Sequence, residues 1–445
     1  MKIVFLSPGA GNMYCGNCLR DNALAAELHR QGHDVITVPL YLPPMLDEPG
    51  FTESVSSNTP VFFGGMNVYF EQKLPFYKYI PKFVRRALDS RWVLKNVGSR
   101  AAATQPAKVG DMTVSMLQGE HGHQKRELDE LCDFLKSDKM SGERKPPDAI
   151  VFSNALLLGM HDAVKEATGA KTVCLLSGED SFLDNLTEPY KTECWQLVSK
   201  HAANVDAITA PSRFYADFMT QRLTDSLCPS LGIQILPPGI NLDGYKLAAG
   251  FAQQIAANSA ANIGFFARMT HSKGLDTLVD AFIEVRKRKN FYPKLKIGGG
   301  YSKYNLPFVQ AQTDKLEDND LATIEKAQIF PNLTRSEKIK FLESLTLFSV
   351  PSRLNEPFGL YVLEAFAAGI PCLFPNRGAF SEIAEQSGAC VLFESENSVD
   401  LADKIEELLA DEEKQKTMSD NGRKAVLEKW NITESAKTFL ALMQI

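Results

Sequence analysis

The chain reads as α/β throughout, in two successive domains that are each a parallel sheet covered by helices. Three observations predict this: its length, a strand and helix alternation that runs twice, and a loose stretch between the two runs. At 445 residues it exceeds what one core holds and fits two domains of roughly 200 residues each. In the first run, short apolar segments at 3–7, 34–40, 113–117, 149–153, 172–176, 207–210 and 233–237 alternate with helical patterns, which calls for parallel strands joined by crossover helices. From 239 to 260 the chain leaves Pro237-Pro238-Gly239 for an Ala-, Gln- and Asn-rich stretch that can bury little, so the linker is expected there. A second run follows at 263–267, 294–297, 327–330, 348–350, 372–375 and 390–393, giving expected domains 1–238 and 239–428. Residues 141–147 read as a surface loop.

Composition narrows the class. An apolar content of 44% and a charged content of 23% describe an ordinary globular protein, and a net charge of −6 speaks against nucleic acid as a partner. No apolar run reaches the ~20 residues that span a bilayer. The start, Met1-Lys2-Ile3-Val4-Phe5-Leu6-Ser7, meets Pro8 and Gly9 too soon for a secretory signal and suits a first buried strand, so a cytoplasmic location is expected.

The first strand leads into Ser7-Pro8-Gly9-Ala10-Gly11-Asn12-Met13, a glycine loop whose backbone can come close to a ligand, with a helix from Asp21 through Leu28 behind it, closed near Gly32. Gly9, Gly11 and Asn12 are therefore candidate contacts, although a GxG without a third glycine is not the dinucleotide fingerprint. Of eight cysteines, two fall at ligand spacing, Cys15 and Cys18. A structural zinc needs four ligands, so small residues lining a tight loop explain this pair better than a metal or redox motif. His121 and His123 likewise read as a polar loop, and no metal is expected. The segment 73–95 gathers Lys78, Lys82, Arg85, Arg86 and Arg91 with Tyr77, Tyr79, Phe83 and Trp92. It suits an anionic lipid surface, a cleft wall for a soluble anion, or a solvated helix with a buried aromatic face.

In the second run, the strand at 263–267 delivers Arg268, and Lys273-Gly274 opens a helix whose apolar face includes Leu275, Leu278, Val279 and Phe282. Cations at a helix N-terminus oppose its dipole, so placing two there calls for an anion. Gly298-Gly299-Gly300 ends the next strand.

The densest signal is Glu356-Pro357-Phe358-Gly359-Leu360, followed by Glu364 and closed by Gly369-Ile370-Pro371. Leu360, Leu363, Ala367 and Ala368 suit a buried helix face, which Gly369 and Pro371 terminate. Eight residues at helical rise span roughly 12 Å, so two carboxylates flank the start of one helix. Between them the amides of Phe358, Gly359 and Leu360 would be free donors at a positive helix end, fit for a phosphate without a metal. A nucleotide diphosphate sugar answers every group. The bland reading, two solvated glutamates on an amphipathic helix, loses to the strand, loop, helix, strand context around them.

The segment EPFGLYVLEAFAAGIPCLFPNRG closely resembles the nucleotide-binding signature of retaining GT-B glycosyltransferases of the family 4 type (glycosyl transferases group 1), and RxxxxKG at Arg268 and Lys273 resembles the phosphate-binding pair of the same family. The resemblance implies GT-B architecture, two Rossmann-like domains facing a cleft, with a closing helix in 429–445 that crosses back to the first domain. It implies a hexosyltransferase (EC 2.4) that needs no cofactor. Glu356, Arg268 and Lys273 would be catalytic, with Glu356 on donor-sugar hydroxyls; Glu364 would hold the ribose hydroxyls. Gly9, Gly11, Asn12 and Gly299 would line the donor. It also implies retention by front-face attack. Asp318-Asn319-Asp320 looks like the metal-binding DxD of the other glycosyltransferase fold but lacks its strand context. Many relatives carry a His after an N-domain strand, where this chain reads Cys174-Leu175-Leu176-Ser177-Gly178-Glu179-Asp180-Ser181. Glu179 or Asp180 there either binds acceptor or sugar or caps the following helix. The expected partners are a UDP- or GDP-sugar donor and a carbohydrate, lipid-carrier or small-molecule acceptor, with peripheral contact to the inner membrane face if 73–95 rests on lipid. The alternatives are an epimerase or phosphorylase on the same fold, and a non-catalytic nucleotide-binding or redox-sensing protein.

Overall fold

The computed structural model describes residues 1–9, 16–42, 62–63, 109–137, 146–224, 232–246, 261–321 and 326–443. Gly11, Asn12, Cys15, the basic aromatic segment 73–95, most of the 141–147 loop and the linker residues 247–260 lie outside them. Two compact units make up the chain: Met1–Pro237 with Ser435–Ile445, and Pro238–Glu434.

In the first unit, β1 (Lys2–Ser7), β2 (Asp34–Pro39), β3 (Ala149–Phe152), β4 (Lys171–Leu175), β5 (Ala207–Ala210) and β6 (Ile233–Ile235) form one sheet in the order β2-β1-β3-β4-β5-β6, parallel throughout. All six residues of β1 are buried, as expected for a strand covered on both faces. Helix α1 (Gly16–Arg30) carries the chain from β1 to β2. The segment 113–117, expected as a strand, is instead part of helix α2 (Gly110–Leu117). A five-residue apolar run is equally a strand or one face of a helix. Here the buried residues Gly110, Thr113, Val114 and Leu117 recur at helical spacing, and the Gln118 amide closes on the Val114 carbonyl at 2.9 Å.

The second unit holds β7 (Asn262–Phe266), β8 (Lys294–Gly299), β9 (Ala327–Pro331), β10 (Leu347–Ser349), β11 (Cys372–Pro375) and β12 (Cys390–Phe393), again all parallel, in the order β12-β11-β10-β7-β8-β9. The chain moves outward from β7 through β9, then returns beside β7 with β10. Helices α3 (Leu275–Arg288), α4 (Arg335–Glu343) and α5 (Leu360–Ala367) follow β7, β9 and β10. A Thr334/Glu337 capping box opens α4. Gly369 ends α5 in the left-handed region, with the Ile370 amide bonded back to Ala365 at 3.0 Å. Phe348, Tyr361, Phe374 and Phe380 pack as one aromatic cluster under α5. The last helix, α6 (Ile432–Leu442), enters the first unit at Ser435, and its fully buried Phe439 stacks on Phe5 with centroids 6.2 Å apart.

Candidate functional site

In an open parallel sheet, ligands bind beyond the carboxyl ends of the strands where the strand order reverses. In the second unit that point lies between β7 and β10, which pair as Leu347↔Ile263 and Phe348↔Gly264. The loop after β7 supplies Arg268 and Lys273, and the loop after β10 supplies Ser352 and Glu356. Arg353 fastens the two loops together: its amide donates to Ser272 O at 2.9 Å, and its guanidinium grips Asp276 at 2.8 and 3.0 Å.

Glu356 is buried and forms an ion pair with the buried Lys273 ammonium through Oε1. Ser352 Oγ donates to the same oxygen at 2.6 Å, so neither group occupies Oε2. The Lys273 ammonium also lies 5.7 Å from the centre of the Tyr361 ring. Burial, and secondarily the charge of Glu356, push the Tyr361 hydroxyl well above its usual titration range, so it stays protonated beside the pair. Arg268 differs from Lys273. Its side chain is exposed and makes no ion pair among the described residues.

Gly359 caps α5 at φ +93 and ψ 92, a conformation closed to other residues, and turns the chain from the Glu356 loop into the helix. The amides of Phe358, Gly359 and Leu360 donate no hydrogen bond among the described residues, leaving three donors at a helix start next to Glu356. One turn into α5, Glu364 is buried, and Lys338 of α4 binds its Oε1 at 2.6 Å. Glu364 Oε2 is buried without a donor among the described residues. On the far side of β7, Gly299 at φ +128 brings the end of β8 so close that a Cβ would stand 1.8 Å from Ala267 O.

The first unit holds the other candidates. Gly9 follows β1, with its amide 3.4 Å from Ser7 Oγ. Glu179 is buried and engaged on both oxygens: the Ala155 and Ser177 amides donate to it at 2.8 Å each, and the Tyr215 hydroxyl lies 3.2 Å away. Asp180 accepts from Tyr215 at 2.7 Å, and burial raises its titration above the usual carboxylate range. Neither side chain caps the short helix Asp180–Leu183. Nearby, Arg20 donates to Ser153 O at 2.9 Å and Leu176 O at 3.1 Å while pairing with buried Asp21, tying α1 to the ends of β3 and β4.

Sequence reasoning missed Ser352, Tyr361 and Lys338. Tyr361 stands inside the quoted EPFGLY segment and Ser352 four residues before it, and both differ from their neighbours only once folded. Lys338 did leave a signal, because Lys338, Phe341 and Leu342 share one buried face of α4 at helical spacing, where the pattern asks for an apolar residue. Cys18 is buried in α1. Among the described residues no cluster of three or more His, Cys, Asp or Glu is arranged for a metal, and no helix is long and apolar enough to cross a membrane.

Residues 251–425 match the family model described as Glycosyl transferases group 1. The chain is 23% identical over 227 residues to the GDP-mannose-dependent alpha-(1-6)-phosphatidylinositol monomannoside mannosyltransferase of Mycobacterium tuberculosis, covering 49% of this chain and 57% of that protein. It is 27% identical over 190 residues to the D-inositol 3-phosphate glycosyltransferase of Nocardia farcinica, 42% of each chain. The chain thus spans about half the length of the curated relatives it matches. Among solved structures, sucrose-phosphate synthase from Thermosynechococcus elongatus superposes with a TM-score of 0.68 at 15% identity, over 100% of this chain and 98% of that one. Anabaena HepE in complex with UDP gives 0.65 at 13% identity, over 100% of both. These likenesses show the fold, GT-B with two Rossmann-like parallel sheets.

Proposed function

We propose that a chain whose residues 251–425 match the group 1 glycosyl transferases is a retaining glycosyltransferase, moving a hexosyl group from a nucleotide diphosphate sugar to an acceptor hydroxyl without a metal. The observation that carries this reading is the Lys273–Glu356 pair at the β7/β10 switch point, set beside three undonated amides at the start of α5.

Charge decides the mechanism. As the bond from the anomeric carbon to the donor phosphate oxygen breaks, its electron pair goes to the diphosphate. Arg268, Lys273 and the amides of Phe358, Gly359 and Leu360 are the donors that meet this growing charge, the task a metal performs elsewhere. The acceptor oxygen bonds the same face of the anomeric carbon, and its proton passes to the departing phosphate oxygen. Glu356, held by Lys273 and Ser352 through Oε1, offers its other oxygen to donor hydroxyls and orients the sugar. Glu364 takes the ribose hydroxyls. In the first unit, Gly9, Gly11 and Asn12 belong to the donor side, and Gly299 to the nucleotide side. The inward commitments of Glu179 support a bracing role for it, with Asp180 the better placed of the two for an acceptor.

The nucleotide-sugar class is supported by relatives named for GDP-mannose and by a structural neighbour titled with UDP. The acceptor is a carbohydrate, lipid carrier or small molecule. A relative named for a phosphatidylinositol mannoside supports the lipid option, and with it a cytoplasmic enzyme resting on the inner membrane face through 73–95.

Incubating the purified protein with UDP-, GDP- and ADP-sugars and candidate acceptors tests the reading. Nucleoside diphosphate release that persists in EDTA, with the donor's anomeric configuration kept in the product by NMR, is the expected result. Glu356→Gln should keep the fold and cut turnover by about two orders of magnitude. Near-normal activity in that variant would remove Glu356 from the site, and an inverted product would end the retaining mechanism.

A further inference from the structure

The Lys338–Glu364 pair is a buried contact that no role above explains. Lys338 lies on the inward face of α4 with Phe341 and Leu342, where a leucine would serve packing better. Its side chain is 3% exposed and that of Glu364 9%. A buried ion pair of this kind is poor evidence of a stability device, because well-packed apolar residues of similar volume commonly do as well or better. Two features of Glu364 point elsewhere. Lys338 takes Oε1, while Oε2 has no donor among the described residues. The pair is also held on two fixed supports: the first turn of α4 is locked by the capping box, and α5 begins at the three free amides. Such a carboxylate is held in one orientation, with one of its two oxygens left for a ligand.

We propose that Lys338 is a positioning residue for the nucleotide: it holds Glu364 by Oε1, leaving Oε2 for the vicinal hydroxyls of a ribose, and so sets the preference for ribonucleotides. The inference rests on the reading of Glu364 as the ribose contact. Without Lys338, Oε1 loses its donor and the carboxylate turns toward another, so the ribose hydroxyls lose a fixed acceptor. Diphosphate contacts at Arg268, Lys273 and the α5 amides stay in place, so binding weakens selectively for the ribose.

The test is calorimetric titration of the full chain with UDP, GDP and ADP, then with the 2′,3′-dideoxy form of whichever binds. In the parent the ribonucleotide should bind at least about tenfold tighter than its dideoxy form, the discrimination expected of one charge-assisted hydrogen bond. Lys338→Met and Glu364→Gln should each bring that ratio toward one, and the double variant no further; Lys338→Arg should restore part of it. Thermal melts of each variant separate loss of fold from loss of preference. If Lys338→Met keeps the parent ratio while Glu364→Gln loses it, Lys338 is merely structural and the proposal falls. If Glu364→Gln also keeps the ratio, the ribose reading of Glu364 falls and the proposal with it. If no nucleoside diphosphate binds, the donor-site reading itself is overturned.

Discussion

Arg268 and Lys273 bring the same charge to the same sheet edge under opposite circumstances. Arg268 is exposed and unpaired among the described residues, whereas Lys273 is buried against Glu356. Truncating them should therefore separate binding from stability. Arg268→Ala leaves no buried charge behind, so urea unfolding should shift by no more than about 0.5 kcal/mol. Nucleoside diphosphate affinity should still fall by about tenfold to a hundredfold, the worth of a charged hydrogen bond. Lys273→Ala should lose affinity and also destabilise the second unit by about 3–5 kcal/mol, because it strands a buried carboxylate. Equal stability losses in the two variants would contradict this assignment of environments. The residue types at these positions were legible in the sequence; the environments were not. Lys273 and Glu356 are 83 residues apart, and Lys338 and Glu364 are 26 apart, so each pairing exists only once the strand order is known.

Among the elements, the proposed phosphate site depends most on the start of α5. Gly359 holds its conformation because it has no Cβ; an added one would stand 3.0 Å from the Tyr361 ring. Gly359→Ala should destabilise the second unit by about 1–3 kcal/mol through backbone strain. It should also weaken nucleotide binding with Arg268 and Lys273 intact, since the amides of Phe358, Gly359 and Leu360 would no longer converge. Unfolding and titration curves for the one variant check both, and unaltered affinity would show that these amides do not meet the phosphates. Most strands were readable because both faces of a parallel sheet are covered, which leaves continuous apolar runs between turn residues. The exception, 113–117, shows the limit of that signal. Five residues, three of them apolar, carry no period of their own, and the Gly110, Thr113, Val114 and Leu117 face that makes α2 a helix begins outside the run.

For the molecule as a whole, the last helix serves the first unit while the candidate site belongs to the second. Phe439 is fully buried against Phe5, so Phe439→Ala should cost the first unit about 3–5 kcal/mol. Differential scanning calorimetry should register that loss, while nucleoside diphosphate affinity, whose proposed charged contacts lie in the second unit, should fall far less than it does in Lys273→Ala. A parallel loss of affinity would mean that the donor site depends on the first unit's core. The proposed function requires one nucleotide diphosphate to sit at the β7/β10 switch point on cations and amides alone. Titration of UDP and GDP into the protein in EDTA tests it most directly. One of the two should bind, unaffected by the chelator, and at a hundredfold excess over its dissociation constant should stabilise the protein by about 2.7 kcal/mol, a gain that Lys273→Ala abolishes. Binding that requires a divalent cation, or that survives Lys273→Ala unchanged, would contradict the account.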